Sequence, residues 1–304
     1  MTAAISFSGL TKRYGARTAI EDVTFSVPFG EVTGFFGPDG AGKTTCLRIL
    51  AGLVAPDRGT ATVLGRPFAE LPGPARQVGV ALDGAGAHPG HTGRQHLLMA
   101  AAEADIPARR VDEVLAVTDI EGVAERKVGT YSPCTRRRLG LATALLGDPR
   151  VLVLDEPAGG LDPQGVRRLR TLLRRLADQG RAVLLSSRAL TEVERTSDRL
   201  IVLRRRVLFT GSVEVLRHRP RSAGGALRVR TSDDARMAAG LASFGSDIRS
   251  ETAHGVLVQG ADAKTILATA TAVGVEVHEL AEPVVDLEEE FRRLLGDTAP
   301  GSLR

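Results

Sequence analysis

Gly37-Pro38-Asp39-Gly40-Ala41-Gly42-Lys43-Thr44-Thr45 decides the fold. The run has the spacing G-x-x-x-x-G-K-[ST] of a loop that cradles the phosphates of a nucleotide. It is preceded by Glu31-Val32-Thr33-Gly34-Phe35-Phe36, apolar and strand-prone, and followed by Thr45-Cys46-Leu47-Arg48-Ile49-Leu50-Ala51, which reads as a helix. Strand, glycine loop and helix are the context that such a loop requires. Its glycines let successive backbone N–H groups converge on an anion, and the helix that follows adds the positive end of its dipole. Lys43 supplies a full charge for the terminal phosphates of ATP, and the Thr44 hydroxyl is placed to ligate Mg2+.

A second stretch completes the first. Val151-Leu152-Val153-Leu154 reads as a strand buried on both faces, as in a parallel sheet. Asp155 and Glu156 follow at its carboxyl end, where open α/β sheets bind ligands. Asp155 is expected to hold Mg2+ through water, and Glu156 to polarise an attacking water as general base. Tyr14, in the turn Lys12-Arg13-Tyr14-Gly15, is positioned to stack on an adenine ring.

Composition narrows the classes. The 304 residues are enough for one large domain and one small one. Two cysteines, Cys46 and Cys134, exclude a disulfide framework. The start Met1-Thr2-Ala3-Ala4-Ile5 lacks a basic segment ahead of an apolar one, so no signal peptide is expected. No apolar run reaches the roughly 18–20 residues of a membrane span, so any membrane link is expected to run through a partner. Net charge is +4, and of 40 Lys and Arg only Lys12, Lys43, Lys127 and Lys264 are lysine. Acids are interleaved with this charge and aromatic residues make up 4%, so no nucleic-acid partner is expected.

Further strands are expected over Ile5–Leu10, Ala19–Val27, Thr60–Leu64, Gln77–Leu82, Ala182–Ser187, Leu200–Leu203 and Val207–Thr210. Helices are expected from Thr92, from Pro107, from Ser132-Pro133 to about Leu146, from Asp162-Pro163 to Asp178, and over Leu190–Arg195. His88, His91 and His96 lack metal-ligand spacing. Residues 216–225 read as a basic, Pro/Gly-rich linker. Beyond it a small α+β module is expected, with strands at Ala226–Arg230, Gly255–Val258 and Val275–Glu279 and helices at Asp233–Phe244, Ala263–Ala272 and Asp286–Leu295.

In this order the residues resemble the ATP-binding subunit of a bacterial ABC transporter, over about residues 4–215. The carriers are Tyr14, Gly37 to Thr45, Leu154-Asp155-Glu156-Pro157 and the dimer-contact loop Gly160-Leu161-Asp162. More loosely, the tail from Pro283 to Phe291 is similar to drug- and antibiotic-exporter ATPases of the daunorubicin-resistance or bacitracin-resistance type. The resemblance implies an α/β P-loop NTPase of ABC type over 1–215, with a mixed core sheet, flanking helices and a helical subdomain at about 84–148. The linker and the accessory domain at 226–304 follow. It implies an ATPase with ATP and Mg2+ as cofactors, a second ATP-binding subunit in a homodimer or heterodimer, and integral-membrane permease subunits that carry the exported compound. The chain would then lie in the cytoplasm, against the inner face of the membrane. Gly37, Pro38, Asp39, Gly40, Ala41, Gly42, Lys43, Thr44, Thr45 and Tyr14 would contact ATP, and Ser132 and Asp162 would contact that of the partner.

The sequence departs from this family in four places. The signature Ser-Gly-Gly-Gln appears as Ser132-Pro133-Cys134-Thr135, which removes both glycines and one N–H. The switch histidine is Arg188, which donates but cannot relay a proton. The glutamine expected to sense Mg2+ is Asp83, and Asp39 replaces an asparagine. These changes leave open a slow ATPase, a hydrolysis-impaired subunit paired with an active partner, or a soluble ABC ATPase outside transport.

Overall fold

The computed structural model describes residues 3–82, 86–217, 226–243, 246–252 and 255–281. In chain order the first unit contains β1 (Ile5–Tyr14), β2 (Arg17–Val27), β3 (Val32–Phe36), α1 (Lys43–Leu50), β4 (Arg58–Val63), α2 (Pro74–Gln77), β5 (Val78–Ala81), α3 (Gly93–Glu103), α4 (Arg109–Val117) and α5 (Pro133–Leu145). It continues through β6 (Val151–Leu154), α6 (Pro163–Asp178), β7 (Ala182–Ser187), α7 (Leu190–Thr196), β8 (Arg199–Arg204) and β9 (Arg206–Ser212), and α8 (Val213–Arg217) spans the boundary to the second unit. The chain divides between Val213 and Glu214.

The main sheet runs β5-β6-β7-β3-β8-β9. Its neighbours are parallel except for β8 and β9. A smaller antiparallel sheet runs β2-β1-β4. The apolar runs of the sequence explain how the two layers are filled. On β6, Val151 and Val153 point into one core with Phe7, Phe25, Phe35 and Leu47. Leu152 and Leu154 point into the other, with Leu97, Leu115, Leu139 and Leu173. A strand with no polar face is stable only when covered on both sides, and truncating Leu154 to Ala is expected to cost about 2–5 kcal/mol. At the amino end of the sheet, Asp198 accepts the Val32 N–H at 2.8 Å and two bonds from Arg174, at 2.5 and 2.6 Å. This ties α6, β3 and the start of β8 together.

Register does the remaining work for the site. Phe36 pairs with Ser187, Ala81 with Leu154, and Leu154 with Leu185. The segments that follow β3, β6 and β7 therefore leave the sheet along one carboxyl edge. The helices on one face start from the caps their sequences supply. Ser132 Oγ accepts the Thr135 N–H at 3.1 Å, and Asp162 Oδ1 accepts the Gly165 N–H at 2.9 Å.

The second unit contains β10 (Ala226–Thr231), α9 (Asp234–Ser243), β11 (Asp247–Thr252), β12 (Gly255–Gln259), α10 (Ala263–Val273) and β13 (Val277–Ala281). Its sheet order is β11-β12-β10-β13, and every pairing is antiparallel. This βαββαβ connectivity is ferredoxin-like. Val229, Met237, Leu241, Val256, Val258 and Ile266 form its core.

Four expectations need correction. β1 does not end near Leu10 but continues to Tyr14, which pairs with Arg17 across a tight hairpin, so Tyr14 ends a strand. The helix expected from Pro107 begins at Arg109, with Ala108 at its cap. β11 was not anticipated, because Asp247-Ile248-Arg249-Ser250-Glu251-Thr252 shows no apolar alternation and gains strand character by pairing with β12. β13 starts two residues later than expected, at Val277. Asp83, residues 218–225 of the linker and the helix expected at Asp286–Leu295 lie outside the described residues.

Candidate functional site

The loop between β3 and α1 is shaped by contacts that exclude larger residues. A Cβ at Gly37 would lie 2.3 Å from the Leu203 carbonyl oxygen. Gly42, the residue before α1, has φ 105°, and a Cβ there would lie 2.3 Å from Ile20 Cγ2. Pro38 has no N–H to offer; its carbonyl accepts the Ala41 N–H at 3.1 Å and closes the curl. Asp39 and Gly40 are exposed, Gly37 and Ala41 are buried, and Thr44 and Thr45 lie in the first turn of α1.

Lys43 is 6% exposed. Its Nζ donates to the Gly37 carbonyl at 2.5 Å and to the Pro38 carbonyl at 3.3 Å. Burial lowers its pKa below the ordinary lysine value. The carboxylates of Glu156, Asp39 and Asp155 pull the other way, and Arg188 adds to the lowering. A desolvated ammonium facing three carboxylates is a ready counter-charge for an anion.

The structure brings Thr44 and Asp155 together. Thr44 Oγ1 donates to Asp155 Oδ2 at 2.7 Å. Asp155 Oδ1 accepts a short hydrogen bond from Ser186 Oγ, and Ser186 Oγ accepts the Glu156 N–H at 2.9 Å. Glu156 has φ 45°, the left-handed region. Arg188 stands between two acids, with Nε 3.7 Å from Glu156 Oε2 and Nη1 3.5 Å from Asp39 Oδ2. An exposed pair at such a separation adds little stability, so its significance is positional.

Two converging oxygens, one hydroxyl and one carboxylate, suit Mg2+, which favours oxygen ligands and takes few of them from protein. Among the described residues no group of three or more His, Cys, Asp or Glu is arranged to hold a metal. A divalent ion held here would take the rest of its ligands from outside the protein, from water and phosphate oxygens.

Other predicted residues stay apart from this cluster. Tyr14 is 48% exposed, with the Lys12 ammonium 5.6 Å from its ring centre. The side-chain oxygens of Ser132 and Asp162 serve the caps of α5 and α6. Sequence reasoning missed Ser186, which no motif contains. It also missed Arg137, whose Nη1 donates to the Gly159 carbonyl at 2.6 Å and holds the loop after Glu156 against α5. An arginine two residues beyond the altered signature run was the available signal for the latter.

Residues 20–159 match the family described as ABC transporter. Residues 225–288 match one described as a domain of unknown function, DUF8746. The chain is 41% identical over 206 residues to the Nod factor export ATP-binding protein I of Burkholderia orbicola (strain AU 1054), covering 66% of this chain and 68% of that protein. A structure described as the ATP binding subunit of an ABC transporter superposes with a TM-score of 0.65 at 27% identity, over 71% of this chain and 92% of that one. The dimeric structure of MJ0796, a bacterial ABC transporter cassette, gives a TM-score of 0.63 at 22% identity, over 69% and 98%. A mixed sheet with a phosphate loop at its carboxyl edge is the P-loop ATPase fold, and the chain belongs to the ATP-binding subunits of ABC transporters. Among the described residues no helix is long and apolar enough to cross a membrane.

Proposed function

We propose that this chain couples ATP binding and hydrolysis to export of a drug- or antibiotic-like compound through separate integral-membrane permease subunits, which hold it at the inner face of the membrane. One observation carries the catalytic part: Thr44 and Asp155, 111 residues apart in sequence, meet at 2.7 Å with Glu156 the next residue. The export direction is supported by the name of the Burkholderia relative.

The loop amides from Gly40 to Lys43 and the Lys43 ammonium take the phosphates, and Tyr14 stacks on the adenine. Thr44 and Asp155 would hold Mg2+, which when bound would supply charge that neutralises the phosphate oxygens. Glu156 accepts the proton of the attacking water. Arg188, beside Asp39 and Glu156, offers its donors to the terminal phosphate. It cannot relay a proton, so that task stays with Glu156. A second ATP-binding subunit presents its Ser132 and Asp162 to the same ATP; the solved structure of MJ0796 is described as dimeric.

A second reading has its own observation. Pro133 lacks an N–H, and the Thr135 N–H is already bonded to Ser132 Oγ at 3.1 Å. α5 thus offers a partner's ATP few donors, which favours a hydrolysis-impaired subunit working beside an active one. Steady-state turnover separates the two. Hydrolysis by the purified chain, abolished in Glu156→Gln, supports the first reading. MgATP binding with turnover only beside a second ATPase subunit supports the other, and no uptake of MgATP by folded protein overturns both. Export itself is tested by ATP-dependent movement of a drug-like dye in vesicles holding the chain with its permease subunits; movement that persists in Glu156→Gln overturns the coupling.

A further inference from the structure

Ser186 belongs to none of the nucleotide motifs, yet its side chain hydrogen-bonds to both of the paired acidic residues. It is fully buried, at 0% exposure, in a strand that is apolar from Ala182 to Leu185. A hydroxyl in such a place is costly unless its hydrogen bonds are made. Both are made, and both go to the site. Ser186 Oγ accepts the Glu156 N–H at 2.9 Å and donates to Asp155 Oδ1 through a short bond. The other oxygen of Asp155 takes the Thr44 hydroxyl at 2.7 Å. One line of hydrogen bonds therefore runs from the Glu156 backbone through Ser186 and Asp155 to the phosphate loop.

The register makes this arrangement specific to position 186. Phe35 pairs with Ser186 on one side, and Leu154 pairs with Leu185 on the other. Ser186 therefore lies beside the first residue after β6, which is Asp155. Ser187 is one residue further and serves a different structure. Its Oγ donates to Glu192 at 2.7 Å and accepts the Ala189 N–H at 3.0 Å, securing the turn into α7.

Strain gives the contact a purpose. Glu156 has φ 45°, a conformation that side chains with a Cβ disfavour. Such a residue relaxes by rotating the peptide plane before it together with its own φ. Capturing the Glu156 N–H fixes that plane and, with it, the direction in which the carboxylate leaves the chain.

We propose that Ser186 is a positioning residue for both carboxylates: it sets the orientation of Asp155 towards Thr44 and holds the peptide from which Glu156 projects. This rests on the nucleotide reading given above for Asp155 and Glu156. The residue acts through its neighbours and touches neither ATP nor the ion.

The test compares Ser186→Ala and Ser186→Thr with the unaltered chain. ATP affinity is measured by calorimetry with Mg2+ and with EDTA, alongside turnover and melting temperature. For Ser186→Ala, affinity in EDTA stays within about twofold, while the gain in affinity from Mg2+ falls by about 10–100-fold, as for other residues that orient metal ligands. Where turnover is measurable, kcat falls with little change in KM. Ser186→Thr keeps the hydroxyl and restores most of both. If Ala compromises folding, the volume-matched pair Ser186→Val and Ser186→Thr isolates the hydroxyl, with Val impaired and Thr not. An undiminished Mg2+ gain in Ser186→Ala, or equal behaviour of Val and Thr, overturns the proposal and leaves the nucleotide reading standing. If the unaltered chain shows no Mg2+-dependent uptake of ATP, it is that underlying reading which fails.

Discussion

The carboxyl edge of the parallel sheet and the amino end of α5, the two places proposed above to meet phosphate, are built on opposite principles. At the sheet edge, polar groups from distant segments hold one another. Lys43 bonds the carbonyls of its own loop, Thr44 bonds Asp155, and Ser186 bonds Asp155 and Glu156. At α5 the demands of folding and of ligand binding diverge. A serine cap and a proline in the first turn are good for starting a helix. They also leave the first three residues with a single N–H to offer, that of Cys134, because Pro133 has none and Thr135 is bonded to Ser132. A helix end thus becomes more stable and a poorer anion site through the same two residues.

The contrast breaks first at Glu156. Glu156→Gln should cut turnover by about 10²–10⁴-fold while ATP binding persists, as read from steady-state hydrolysis beside calorimetry. Near-normal turnover in this variant would place the chemistry elsewhere. The other side is sharpened by returning small residues to α5. Pro133→Gly with Cys134→Gly restores an N–H and removes bulk. It should raise turnover or ATP-dependent dimerisation by about tenfold, below the roughly 10²–10³-fold that one fully aligned donor supplies, and lower stability by roughly 1 kcal/mol in thermal melts.

Within the sheet edge, the Asp39–Arg188 contact divides pairing from simple proximity. Arg188→Ala should weaken ATP binding by about 5–10-fold, and Asp39→Asn in that background should recover most of the loss. The coupling expected is about 1 kcal/mol, as for charged neighbours in one network. Additive losses in the double variant would show that the two residues act separately.

The smallest effect is in the pH profile. Burial holds the Lys43 pKa below its ordinary value of 10.5, against the pull of Glu156, Asp39 and Asp155. The folded chain therefore loses this proton at lower pH than the unfolded one. ATP affinity should be flat near neutrality and fall as pH rises through the lowered pKa. Folding stability should gain over the same window, since the unfolded chain there binds more protons. Lys43→Arg should flatten the binding profile.

The two units also differ in how much of each was legible. In the nucleotide-binding unit, long apolar runs and capping residues announced β6, α5 and α6, because burial on two faces and a satisfied helix start are local requirements. In the C-terminal unit β11 was illegible, since its residues carry no alternation and depend on pairing with β12. Tyr14 was placed in a turn because glycine follows it, whereas the strand extends through it by pairing with Arg17.

The amino-acid sequence alone determined the chemistry available: a glycine loop with Lys43 and Thr44, two acids after a buried strand, and an altered helix start at Ser132. These are short-range patterns whose physical reasons lie within a few residues. The folded structure alone decided which groups meet. Asp39 and Arg188 are 149 residues apart and Ser186 and Asp155 are 31 apart, and each pair is joined only because parallel register aligns the ends of β3, β6 and β7. A serine within an apolar strand looks like any other until its neighbour across the sheet is known, because a hydrogen bond is a property of two positions and a sequence displays them one at a time.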